Sequence, residues 1–149
     1  MQHPFIARVE AAQSTIDQFL GKPFEWGKTD CAQLAAHCLK ALGYADPLQS
    51  VGEYWDYRSA KKAMKRAGIT TFAQHFEQAL GLEPIAPAMA LPGDIVAFPG
   101  EHPDTFDAAL GVAIGQGRVI GFGANHVGDY APDHICVAAW RALPQGGAA

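Results

Sequence analysis

Apolar residues recur at helical spacing through the first half of the chain and in short β-rich runs through the second. Behind Pro4, which suits a first helical turn, Phe5, Ile6, Val9, Ile16, Phe19 and Leu20 repeat with the period of an amphipathic helix until Gly21 offers a stop. The stretch from Lys22 to Asp30 holds Pro23, Gly27 and the aromatics Phe24 and Trp26, and reads as a loop packed onto the core. From Cys31 a second stripe begins, with Leu34, Ala35, Cys38, Leu39 and Leu42 on one face. Gly43 closes it, and Thr29 or Asp30 can cap its start. Asp46 and Pro47 mark a turn, and two shorter helices are expected from Ser59 to Ala67, ending at Gly68, and from Thr71 to Leu80, ending at Gly81.

Composition shifts across Pro84 to Pro92. Beyond it, Asp94 to Phe98, Ala109 to Ile114, Arg118 to Phe122 and Ile135 to Arg141 are rich in Val, Ile, Phe and Ala, which predicts strands. Gly115, Gln116 and Gly117 fit a tight hairpin connection. Helices followed by strands predict an α+β fold, with N-terminal helices packed on a C-terminal antiparallel sheet. The pattern is read as one domain over 1–143, followed by a loose tail from Pro144 to Ala149.

Composition narrows the function classes. A chain of 149 residues with 49% hydrophobic and 17% charged positions can bury a core without metal or disulfide staples. A net charge of −4 gives no electrostatic reason to expect nucleic acid. Lys61, Lys62, Lys65 and Arg66 form a basic cluster on a helix-like stretch, read as a solvated face, with a patch for an acidic partner as the competing reading. Three cysteines without close pairing suggest reduced thiols and neither a disulfide framework nor a zinc site. No apolar run is long enough to predict a membrane span, and the opening residues do not have a signal-peptide pattern. The glycine-rich segment from Gly115 to Gly123 lies between strand-like runs, not at the start of a helix, so it is not a dinucleotide fingerprint; no cofactor or metal is implied.

Cys31 is the residue with candidate chemistry. Exposed amides and the dipole at a helix start stabilise a thiolate, which is the nucleophilic form of cysteine. The competing reading is a small hydrophobe in phase with the buried stripe, and Cys38 and Cys136 are read as packing residues.

The run from Phe24 through Trp26 to Asp30 and Cys31, the helix behind it, Pro92-Gly93-Asp94-Ile95-Val96-Ala97-Phe98, and Leu110 to Gly117 together resemble the NlpC-type, papain-like cell-wall cysteine peptidases. The resemblance is greatest to the short forms found in bacteriophage tail tips, and extends from about Phe24 to Arg141. It implies a papain-like fold with Cys31 as nucleophile, a histidine at the start of the strand after the Gly-Asp strand, and a third polar residue on the next strand. Those last two positions fall on Ala109 and Gly121, whose side chains cannot take up a proton. Substitutes for the base and its orienting partner would be His102, His126 and Asp107, with Asp104 and Asn125 nearby in sequence; the ordinary reading of these is as exposed turn residues. His3, His37, His75 and His134 have no positional argument. Trp26 and Asp30 would border the cleft and bind its occupant.

Two functions are expected from this resemblance. One is a structural virion component, assembled in the bacterial cytoplasm and carried in the phage tail, with a degenerate peptidase site. Its partners would be other tail-tip proteins, contacted by exposed aromatics such as Tyr54, Trp55 and Tyr57. The other is an active cysteine hydrolase that cuts peptidoglycan stem peptides during infection. A ligand-binding module that uses the same cleft without chemistry is a third class.

Overall fold

The computed structural model describes residues 3–99, 109–122 and 136–145, and the backbone of 127–130. The helices are α1 (Pro4–Phe19), α2 (Cys31–Ala41), α3 (Tyr57–Arg66) and the short α4 (Phe72–Gln74), which runs into a π-helical turn over His75–Ala79. The strands are β1 (Glu83–Ile85), β2 (Ile95–Phe98), β3 (Ala109–Gly115), β4 (Arg118–Phe122), β5 (Val127–Tyr130) and β6 (Ala138–Arg141). They form one antiparallel sheet in the order β1-β6-β2-β3-β4-β5. The α+β architecture and antiparallel sheet therefore match the sequence reading.

Several boundaries differ from that reading. β1 pairs with β6 at the entry to the proline-rich stretch from Pro84 to Pro92, where the sequence predicts no strand. The last strand begins at Ala138 and not at Ile135. The sequence reading places Pro144 and Gln145 in the loose tail, yet the Gln145 amide donates to the Leu42 carbonyl at 2.6 Å, just past the end of α2. The open carbonyls at a helix end attract such donors.

α1 is helical as expected, but its buried face is another one. Arg8, Ala11, Ala12, Thr15 and Phe19 face inward, whereas Phe5 and Ile6 are 49% and 50% exposed and Val9 and Leu20 are also exposed. At 3.6 residues per turn the buried face is rotated by about 100° from the apolar stripe. Small residues let α1 lie close to its neighbours, and Arg8 has a buried partner to reach.

Strand alternation gives the sheet two distinct faces. Ile95, Ala97, Leu110, Val112, Ile120 and Trp140 belong to the core that includes Leu34, Cys38 and Leu39 of α2. Val96, Ala113, Val119 and Ala139 form a smaller cluster on the opposite face, with Phe98 and Cys136 against it. At the β3–β4 hairpin Gly115 pairs with Arg118, and both intervening residues, Gln116 and Gly117, have positive φ, as a two-residue primed turn requires.

The Gly93-Asp94 motif has a structural explanation. Asp94 is completely buried, and its Oδ1 accepts from Arg8 Nη1 at 2.9 Å and from the Ala142 amide at 2.9 Å. Its Oδ2 accepts from Arg141 Nε at 2.9 Å and from the Leu91 amide at 2.8 Å. One carboxylate thus ties α1, the turn before β2 and the end of β6 together.

Candidate functional site at Cys31

Cys31 occupies the first turn of α2, whose start is fixed by Asp30. Asp30 Oδ1 accepts from the Gln33 amide at 2.8 Å, the N-cap geometry that satisfies an otherwise open helix donor. Its Oδ2 accepts from the Gly27 amide at 2.8 Å and the Tyr54 hydroxyl at 2.7 Å. Gly27 has φ +81°, and the Tyr54 carbonyl lies where its Cβ would be, so glycine is required there on both counts. Asp30 therefore shapes the preceding loop and joins it to Tyr54. Burial raises its carboxyl pKa despite the hydrogen bonds from Tyr54, Gln33 and Gly27. Burial likewise raises the Tyr54 hydroxyl, with the Asp30 charge adding to it.

The Cys31 residue is half-buried by its exposed surface, but its sulfur is closely enclosed by protein atoms. That desolvation pushes the thiol up to about 12. The Leu110 amide acts in the opposite direction, the neighbouring Asp30 charge raises it further, and the helix-start amides of Ala32 and Cys31 contribute smaller lowering effects. The activation anticipated from the helix start is thus outweighed by loss of solvent around the sulfur. Cys38 is also buried and pushed up to about 12, with its Sγ 3.4 Å from the Gly93 carbonyl. Cys136 lies across the sheet.

Of the residues read as binding, Asp30 is the helix cap and Trp26 belongs to an aromatic wall. Phe24 contacts Trp26 and Phe122 edge-on, each at 5.0 Å between ring centroids, and Trp26 meets Tyr57 at 6.3 Å. Tyr54 is buried, Tyr57 is half-buried, and Trp55 is 72% exposed. Of the three aromatics expected to face partners, only Trp55 is largely exposed.

Ala109 lies directly opposite Phe98 in the β2–β3 ladder, so both point to the face of the sheet away from α2. Gly121 shares that face: a Cβ there would come within 2.9 Å of the Phe98 ring. A Cβ on Gly111 would meet the Ile120 carbonyl at 2.6 Å and the same ring at 2.8 Å. Phe98 therefore covers Gly121, one of the two positions where the resemblance calls for polar side chains, and pairs across the ladder with the other, Ala109. Its importance was not visible in the sequence, although the glycines of the neighbouring strands, Gly111 and Gly121, were a signal of close approach.

His102, His126, Asp107, Asp104 and Asn125 lie outside the described residues, as does His134. The described histidines are engaged elsewhere. His3 caps α1 by accepting from the Phe5 amide at 3.1 Å, and His75 Nε2 lies 2.9 Å from the Pro47 carbonyl. His37 Nε2 is 2.9 Å from Ser14 Oγ, and its ring meets Phe19 edge-on. His37 is six residues beyond Cys31, about 9 Å further along the helix axis. Among the described residues there is no group of three metal-ligating side chains, and no helix is long and apolar enough to cross a membrane. A shallow groove beside Cys136, floored by Val96, Ala113 and Val119, opens on the outer face of the sheet and is separate from Cys31.

Neither the curated proteins nor the solved structures include a match to this chain. One family model matches residues 7–142, described as a domain of unknown function, DUF6950. That match takes in both arginine partners of Asp94, the whole of α2 and the whole of the sheet, and the chain belongs to the DUF6950 family.

Proposed function

We propose that this protein is a papain-like, NlpC-type domain retained as a structural component of a bacteriophage tail tip, with a degenerate peptidase site. The observation that carries the reading is the state of the site around Cys31. The thiol is at a helix start, as the resemblance requires, but it is enclosed and pushed up to about 12. The positions assigned to the base and the third polar residue hold Ala109 and Gly121, on the face of the sheet away from α2. A nucleophile needs its thiolate near neutral pH and a group to accept its proton. The α+β order of helices and antiparallel strands is compatible with the papain-like assignment.

Incubation of the purified protein with muropeptides, followed by mass spectrometry of the products, tests the reading. No cleavage is expected. Cleavage that disappears in Cys31→Ala would replace this reading by an active hydrolase of peptidoglycan stem peptides. The Leu110 amide, which acts to lower the Cys31 thiol, favours that second reading, since a nearby donor stabilises negative charge on sulfur. In that case His102→Ala and His126→Ala would identify the base, with Asp107→Ala testing its orienting partner.

A further inference from the structure

α3 carries Arg58, Lys61, Lys62, Lys65 and Arg66 on one side, at the i, i+3, i+4, i+7, i+8 spacing of a single helical face. All five are exposed, while Ala60, Ala63 and Met64 occupy the opposite, buried face. Among the described residues none of the five forms an ion pair. The nearest acid in sequence, Asp56, caps the helix and accepts from the Ser59 amide at 2.7 Å. Like charges at these spacings oppose helix formation. The rest of the chain has the opposite character, since all 15 acidic residues lie outside α3 and only six of the 11 bases do.

Trp55 borders the start of this helix and is 72% exposed. Its backbone is held: the Trp55 amide donates to Ser59 Oγ at 2.9 Å, and the Asp56 amide donates to the same oxygen at 3.0 Å. A large aromatic on a fixed backbone loses little freedom when it is covered, and Trp and Arg are the residues that most often anchor protein interfaces.

We propose that Trp55 and the basic face of α3 form a docking surface for an acidic surface on another protein, with Trp55 as the apolar anchor. The stripe is only about 12 Å long. It matches two turns of a carboxylate-bearing helix and is too short to track a long polyanion. This surface is distinct from Cys31 and stands whether or not the site there is catalytic.

A fluorescein-labelled helical peptide of repeating Glu-Ala-Ala-Glu units, titrated with the intact protein at about 50 and 300 mM salt, tests the proposal by anisotropy. Saturable binding is expected, weakened at least ~10-fold by the higher salt and at least ~10-fold by the triple variant K61E/K62E/K65E. K61Q/K62Q/K65Q should lose less, Trp55→Ala should weaken binding several-fold, and K22E/K28E/K40E should leave it within about twofold. Melting curves establish that each variant is folded. No binding, equal losses in the two charge-reversal triples, or an unchanged affinity in Trp55→Ala would overturn the proposal. Tighter binding to single-stranded oligothymidine or phosphatidylglycerol vesicles than to the peptide would overturn it in favour of a nucleic-acid or membrane surface.

Discussion

Arg8 and Asp94, 86 residues apart in the chain, meet at 2.9 Å with both side chains almost wholly shielded from water. The pair gains its second cation from Arg141, also at 2.9 Å, and two backbone amides complete the carboxylate. The first helix and the last strand are thus joined through one residue at the entry to β2.

Removing only the carboxylate should be severe, because it leaves Arg8 buried without its counter-ion. Asp94→Ala is expected to lower the unfolding free energy by about 3–5 kcal/mol, a large fraction of the total for a domain this size. In urea denaturation, Arg8→Ala and Asp94→Ala together should cost clearly less than the sum of the two single changes. Additive losses would mean that the pair is not energetically coupled.

Asp30→Ala is expected to cost about 2–3 kcal/mol, since it removes the α2 cap and strands the donors of Gly27 and Tyr54. Tyr54→Phe removes one of these hydrogen bonds and should cost about 1 kcal/mol. Thermal or urea unfolding of both variants checks the order. A Tyr54→Phe loss equal to that of Asp30→Ala would contradict the assignment of the cap as the larger contribution.

Alkylation of Cys31 should have a midpoint well above that of an ordinary thiol, about 8.5, because burial holds the folded thiol protonated. The consequence for stability has a definite sign. With a folded value near 12 against an ordinary value of 9.0, the contribution is complete below about pH 9 and is lost as pH rises towards about 12. Cys38 acts in the same window. Iodoacetamide labelling against pH, read by mass spectrometry, gives the midpoint, and Cys31→Ala should flatten the alkaline decline in stability. A Cys31 midpoint below about 8.5 would reverse the argument and favour the hydrolase.

Gly121→His should destabilise the fold by about 1–3 kcal/mol, since its Cβ alone would meet the Phe98 ring at 2.9 Å. Adding Phe98→Ala should recover part of that loss in a chemical melt. The combination Ala109→His/Gly121→His/Phe98→Ala should still leave muropeptides uncut, because the new side chains project from the sheet face opposite α2. Cleavage by that variant would show that the face is within reach of Cys31.

Local pattern determined much of the architecture. The period of the apolar residues from Leu34 to Leu42 fixed α2 and its buried face, and Asp30 at its start is a strong N-cap residue wherever the tertiary fold places it. β-branched runs separated by glycine turns likewise specified the central strands and the Gly115–Gly117 hairpin, because side-chain alternation and turn geometry are short-range properties. What each face would meet was decided by contacts distant in sequence. The apolar stripe of α1 was the wrong guide to its buried side, since Ala11 and Ala12 allow close packing there and Arg8 must reach Asp94. β6 inserts between β1 and β2, an order set by pairing residues more than 40 positions apart. The state of Cys31 also required the tertiary fold: the sequence placed it at a helix start, where its thiolate would be favoured, while the surrounding packing removes the solvent that a thiolate needs.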